Sequence, residues 1–240
     1  MKISEMGEWK LIDLVSQLVQ EERQRVFHWG SQKELVIGIG DDAAVWAVNG
    51  ADILLTTDTM VRGVHFQQEY AGWQEVGWKI MAANLSDIAA MGGVPKYCLV
   101  TLGAPPETEV EGIRELYMGM MDAARPFRVS IVGGDMVTSP IEFVTIALAG
   151  VATQVEEQNT VLTRSAARVG DLVAVTGYLG GSAGGLRMLT QRLNFDSDTQ
   201  FYLRDAHLRP KPRVVEGQLL VQTGVRAAID VSDGLLSDLW

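Results

Sequence analysis

Acidic side chains are the chemistry-bearing feature of this sequence, and they recur in five short segments. The first is Gly38-Ile39-Gly40-Asp41-Asp42, two adjacent carboxylates after a glycine hinge. Strand neighbours point to opposite faces, so Asp41 and Asp42 are expected to have different tasks unless the segment is a solvated turn. The second, Thr56-Thr57-Asp58-Thr59, follows the apolar run Ile53-Leu54-Leu55. Its hydroxyls and carboxylate are hard oxygen donors suited to Mg²⁺. Polar residues at a strand end also bond their own backbone, which is the plainer reading of this segment alone. The third is Asp87, in the run Ile80-Met81-Ala82-Ala83-Asn84-Leu85-Ser86-Asp87-Ile88-Ala89-Ala90-Met91. A helix apolar nearly all round is a buried one, and an Asp buried there must be paired, hydrogen-bonded or on a metal. Asn84 shares its face at i, i+3. The fourth is Gly133-Gly134-Asp135, where missing side chains let a ligand approach the backbone or simply make a turn. The fifth is Asp230-Val231-Ser232-Asp233-Gly234. Alternation puts Asp230 and Ser232 on one side, and Asp233 falls in the first turn of a following helix, where a carboxylate also complements the dipole.

Five acidic segments without matching lysines would repel one another severely if they converged, unless cations filled the space. Several Mg²⁺ ions bridging to a polyphosphate meet that need. The sequence holds no Gly-x-x-x-x-Gly-Lys-Ser/Thr loop and no protein-kinase His-Arg-Asp or Asp-Phe-Gly signature. The histidines are His28, among apolar and aromatic neighbours, His65 beside Phe66, and His207.

The elements that must position these residues alternate between the two periods. Helical spacing of Trp9, Ile12, Val15, Leu18 and Val19 predicts an amphipathic helix over 9–22. Strands are expected over 35–39, 44–48 and 53–57. A helix over 74–91 should stop at Gly92-Gly93, ahead of Pro95. A strand over 97–103, a helix over 109–127 and strands over 130–132 and 141–151 follow. The polar stretch 152–159 is the expected domain boundary, giving domains 1–151 and 152–240. The second pattern has a strand over 172–176, helices reaching to about 222, a strand over 226–231 and a helix opening at Ser232. Between the first of these, Gly177 to Gly185 form a glycine-rich loop entering a helix, a geometry that holds an anion or packs tightly on a sheet. The fold class is α/β with a mixed sheet.

Bulk properties narrow the partners. With 20 Lys and Arg against 30 Asp and Glu, the net charge is -10, and a nucleic-acid binder needs a basic face. One cysteine, Cys98, excludes a disulfide framework. No apolar run reaches membrane-spanning length and no signal-peptide core opens the chain, so a cytoplasmic protein is expected.

Taken in order, the acidic segments resemble the thiamine-monophosphate kinase family. The matching pieces include Gly38 to Ala44, Thr57-Asp58-Thr59-Met60-Val61 with Gly63-Val64-His65-Phe66, and Asn84 to Gly92. They continue through Gly133-Gly134-Asp135, Leu162-Thr163-Arg164-Ser165, His207-Leu208-Arg209-Pro210 and Asp230-Val231-Ser232-Asp233-Gly234. The resemblance implies a two-domain, ATP-binding fold shared with aminoimidazole ribonucleotide synthetase and selenophosphate synthetase, with first domains pairing into a β-barrel in a homodimer. It implies Mg²⁺ on Asp42, Asp58, Asp87, Asp135, Asp230 and Asp233, assisted by Thr56 and Thr57. It implies ATP on Gly134, Arg164 and Ser232, with Tyr117 as a further candidate, and thiamine monophosphate against His65. No catalytic general base is implied, because the acceptor is itself a phosphate.

Two departures stand out. Gly181 replaces the family's loop Asp, which questions any role for that carboxylate. The family's later thiamine-binding segment is not found before Trp240, so a shortened second domain is expected. Other readings are a different ATP-dependent synthetase of the superfamily and a non-catalytic nucleotide-binding regulator.

Overall fold

The computed structural model describes residues 8–26 and 35–239. Helix α1 (Glu8–Val26) precedes strands β1 (Leu35–Ile37), β2 (Ala44–Val48) and β3 (Ala51–Val61). Then come α2 (Trp73–Ala90), β4 (Val94–Ala104), α3 (Val110–Ala124), β5 (Ser130–Thr138) and β6 (Phe143–Val151). A small hairpin follows, β7 (Thr153–Val155) with β8 (Gln158–Thr160), and the rest is helical: α4 (Gly181–Gln191), α5 (Ser197–Leu208), α6 (Val214–Gln222) and α7 (Leu235–Leu239). His28 lies outside the described residues.

Six strands form one mixed sheet in the order β1-β2-β3-β6-β4-β5, with β4 and β5 parallel and the other neighbours antiparallel. The parallel pair is joined through α3, the crossover that parallel strands require. Strand alternation divides the faces. On β3, Leu54, Thr56, Asp58 and Met60 turn toward the helices, while Leu55, Thr57 and Thr59 turn to the other face. The helix side is the core, with Leu54, Ile80, Leu85, Ile88, Leu116, Met120, Ile146 and Leu148 fully buried.

Helix α2 is the central element, packed on the sheet, on α3 and on α6. Its approach to α3 is close because of two glycines. A Cβ on Gly77 would lie 1.9 Å from the Leu116 carbonyl oxygen, and one on Gly119 the same distance from that of Gln74. The helix ends as the sequence predicts. Gly92, at φ 67°, takes the left-handed position that a side chain disfavours, and the N–H groups of Gly92 and Gly93 close onto Ala89 and Ile88.

Several expectations are revised. Strands β3, β4 and β5 run longer than expected, so Asp58 and Asp135 lie inside strands rather than at their ends. The polar stretch after Val151 contains the β7–β8 hairpin. No strand forms over 172–176 or 226–231 among the described residues. A strand needs a hydrogen-bonding neighbour, and Leu172, 97% exposed, has none to lie against. Asp233 precedes α7 instead of sitting in its first turn. Among the described residues, no helix is long and apolar enough to cross a membrane.

Candidate active site

Four carboxylates from four separate segments meet beside the C-terminal half of α2. Asp42 stands just ahead of β2, Asp58 on the inner face of β3, Asp87 near the end of α2, and Asp230 on the extended chain before α7. Oxygens of Asp42, Asp87 and Asp230 all lie within 4.8 Å of one another. Hydroxyls brace the group. Thr56 Oγ1 donates to Asp87 Oδ2, and Ser86 Oγ donates to Asp230 Oδ2 at 2.9 Å. The Arg164 guanidinium pairs with Asp42, while the Arg164 backbone N–H faces Asp41 Oδ2 at 3.3 Å.

The electrostatics show a site short of positive charge. Burial, then the neighbouring Asp58, pushes the Asp87 carboxyl up to about 8. Burial raises Asp42 to about 6, against the opposing pull of Arg164. Asp58 and Asp230 are also raised, in both cases chiefly by burial. Asp42 Oδ2 and Asp58 Oδ2 are buried without a hydrogen-bond partner. Leaving a charged acceptor unpaired costs more than the roughly 1–3 kcal/mol of a neutral one, so these oxygens call for a ligand. An all-oxygen donor set of this density fits hard divalent cations such as Mg²⁺.

The structure thus gathers Asp42, Thr56, Asp58, Asp87, Asp230 and Arg164. It places the other sequence candidates elsewhere. Thr57 lies on the opposite sheet face and donates to the Ile146 carbonyl at 3.0 Å. Asp135 is exposed, opposite Thr101 on that same outer face, and accepts from the Met136 N–H at 2.9 Å. Gly134 is required for strand packing, since a Cβ there would lie 1.8 Å from the Val100 carbonyl oxygen. Tyr117 is half-buried on α3 against the core, its hydroxyl raised by burial and then by Cys98. Asp233 is exposed, and the Ser232 N–H donates to Asp238 Oδ2 at 3.1 Å. His65 sits in an exposed turn after β3. Sequence reasoning passed over two members of the site. Ser86 was visible only as the residue before Asp87, and Asp41 only as half of a pair.

A second polar group lies toward the other end of α2. Lys79 Nζ is 3.3 Å from His207 Nε2, and Ser182 Oγ is 3.1 Å from His207 Nδ1. Burial, then the Lys79 charge, lowers His207 to about 4, so the ring is neutral. Lys79 is itself lowered by burial. The pair lines a cavity with Met60, His65, Phe66 and Tyr70. Nearby, Arg204 bonds Glu75 at 2.5 Å and Trp78 Nε1 donates to the Pro210 carbonyl at 2.9 Å, which ties α5 to α2.

Comparison with known proteins is consistent with this architecture. Residues 40–153 match the family model described as AIR synthase related protein, N-terminal domain. Over 227 residues the chain is 38% identical to thiamine-monophosphate kinase of Bacillus subtilis, covering 92% of this chain and 67% of that protein. The Aquifex aeolicus thiamine-monophosphate kinase is 33% identical over 238 residues, covering 99% and 70% of the two chains. The Escherichia coli K12 enzyme of that name is 36% identical over 211 residues, with 87% and 62% covered, so the chain spans about two thirds of these relatives. A solved structure of AaThiL complexed with AMPPCP and TMP superposes with a TM-score of 0.84 at 32% identity, covering 99% of this chain and 69% of that one. From identity along nearly its whole length, the chain belongs to the thiamine-monophosphate kinase family.

Proposed function

We propose that the chain catalyses ATP-dependent phosphorylation of thiamine monophosphate to thiamine diphosphate, by direct in-line transfer without a phosphoenzyme. The observation that carries this reading is the convergence of Asp42, Asp58, Asp87 and Asp230 in a chain of this family. The AMPPCP and TMP held by AaThiL fit the same reading. Asp42, Thr56, Asp58, Asp87 and Asp230 would hold Mg²⁺. Such ions would neutralise the polyphosphate and stabilise charge spread over the transferred group. Thr57 and Asp135, on the outer face, and Asp233 would serve ions held apart from this cluster, with ATP reaching Gly134, Arg164, Ser232 and Tyr117.

The chain's own task is alignment. Thr56 and Ser86 fix Asp87 and Asp230 by hydrogen bonds, so these carboxylates need little reorganisation when charge develops. Arg164 holds Asp42 and joins the stretch after β8 to the loop before β2. No residue has to remove a proton from the acceptor, because a phosphate monoester, with a second pKa near ~6, is largely dianionic at neutral pH.

In this reading residues 1–151 form the nucleotide-binding, dimerising domain, 152–240 belong to a second domain, and the protein works in the cytoplasm. The outer sheet face supports a homodimer, since Trp46, Leu55, Tyr97 and Leu99 on it are 37%, 39%, 58% and 50% exposed. The test is product formation from thiamine monophosphate and Mg²⁺-ATP. Thiamine diphosphate is expected. ATP consumption without it would favour another synthetase, and nucleotide binding without turnover would favour a regulator.

A further inference from the structure

Asp41 is a buried acid, its side chain 7% exposed, to which no step above gives a task. It stands in the loop before β2, one residue ahead of Asp42, and both of its oxygens face the same distant segment. The Arg164 backbone N–H lies 3.4 Å from Asp41 Oδ1 and 3.3 Å from Oδ2, and Arg164 Nε is 3.9 Å from Oδ1. Oδ1 also accepts from the Asp42 backbone N–H at 3.1 Å. One carboxylate thus touches both members of the Asp42–Arg164 ion pair.

The distant segment is a crossbar. Three successive N–H groups leave it for three different parts of the chain. Leu162 donates to the Met91 carbonyl at 3.0 Å, at the end of α2 just beyond Asp87. Thr163 donates to the Arg226 carbonyl at 3.0 Å, on the stretch that leads to Asp230. Arg164 donates to Asp41, beside Asp42. Residues 162–164 therefore join the segments that carry Asp87, Asp230 and Asp42. Leu162 is fully buried, so the first of these ties is held from within. Two of the three acceptors are main-chain carbonyls, which every residue type supplies. The third is a side chain, so of the three ties it alone depends on which residue is present. Arg164 opens a short turn, Arg164–Ala166, and Thr163 before it makes no side-chain bond to that turn. The Arg164 N–H is thus one of the donors that a turn leaves unmet, and a charged acceptor meets it.

We infer that Asp41 is a positioning residue that fastens the crossbar 162–164 to the loop before β2 and so sets the Arg164 guanidinium on Asp42. The Arg164 side chain is 37% exposed, so without that fastening little else holds it at the cluster. The consequence for binding rests on the kinase reading above, in which Arg164 is the cation that reaches ATP. Losing Asp41 would then weaken nucleotide binding through Arg164, although Asp41 itself touches no ligand.

Asp41→Asn keeps the shape of the side chain and removes its charge. The probe is AMPPCP with Mg²⁺, and its dissociation constant is measured for wild type, Asp41→Asn, Arg164→Met and the double variant. Asp41→Asn should bind roughly tenfold more weakly, the weight of a hydrogen bond to a charged group. The double variant should bind no more weakly than Arg164→Met, because a residue that acts through the guanidinium then has nothing left to position. A purely structural Asp41 would cost the same factor in both backgrounds. That result, or unchanged binding in Asp41→Asn, overturns the inference. A second readout uses no Asp41 variant, so it decides even if Asp41→Asn does not fold. The Nε–H signal of Arg164, assigned by its absence from Arg164→Met, should exchange slowly with water in the ligand-free wild type, as for a guanidinium held by two carboxylates. Exchange as fast as that of Arg114, whose side chain is 71% exposed, would mean that Arg164 is free and the inference fails. A wild-type protein that binds no AMPPCP would sink the kinase reading, while the Nε–H exchange would still judge the hold on Arg164 by itself.

Discussion

Asp87 concentrates the physics of the site in one carboxyl group. It is raised to about 8, so in the metal-free protein it keeps a proton near neutral pH. An unfolded Asp, at 3.8, has lost that proton already. The folded state then binds more protons than the unfolded state between these values, and stability falls as pH rises through that window. In the kinase reading, bound Mg²⁺ would replace that proton. Added Mg²⁺ should therefore raise the melting temperature more at about pH 8 than at about pH 6. Asp87→Asn should remove most of that Mg²⁺ effect and lower the rate of thiamine diphosphate formation by roughly a thousandfold, at the upper end for losing one preorganised electrostatic group. Initial rates and thermal melts with and without metal check both outcomes. Near-normal turnover in the variant would remove Asp87 from the site. Asp87 was legible in the sequence because a carboxylate in a small, apolar helix has few cheap explanations. Asp58 and Asp135 were less so. Both follow apolar runs, and only strand register shows that they face opposite sides of the sheet.

Among the elements, α2 was the most legible, because its apolar period and its Gly92-Gly93 stop agree. What the sequence did not show is which residues let it approach α3. Gly77 and Gly119 are unremarkable glycines until the Cβ positions are built against Leu116 and Gln74. Gly119→Ala should cost about 1–3 kcal/mol in urea unfolding, the range for overpacking a fitted contact. A neutral variant would mean the helices can part without penalty. The junction of α2 with α5 has its own pH dependence. His207 titrates at about 4 in the fold and near 6.5 when unfolded. The unfolded state takes up the extra proton first, so this junction loses stability as pH falls from 6.5 toward about 4. This runs opposite to Asp87. In His207→Gln the acid-side loss of stability should be smaller, as pH-resolved melts would show. The segments 172–176 and 226–231 read as strands because they are apolar and β-branched. That pattern gives a preference for pairing and no partner, so it did not by itself make a sheet.

At the scale of the whole molecule, the mixed sheet has helices on one face and apolar residues open on the other. Tyr97 and Leu99, on β4 beside the β5 edge strand, lie on that open face, and an exposed apolar face of a sheet is costly unless another surface covers it. A second copy of the chain would do so. Sedimentation at micromolar concentration should give a dimer, and Tyr97→Asp with Leu99→Asp should give a folded monomer. A monomeric wild-type protein would count against the shared barrel. No single run in the sequence displays this face; the strand order is what brings Trp46, Leu55, Tyr97 and Leu99 onto it. Helix α2 has a further consequence for the molecule. It touches the sheet, α3, α5 and α6, with the acidic cluster near its last turn and the His207 contact near its first. Its backbone amides should be among the last to take up deuterium, because opening them requires every neighbour to let go. A rod clamped on so many sides has no local way to melt, so the acidic cluster and the α5 anchorage should be lost in one event.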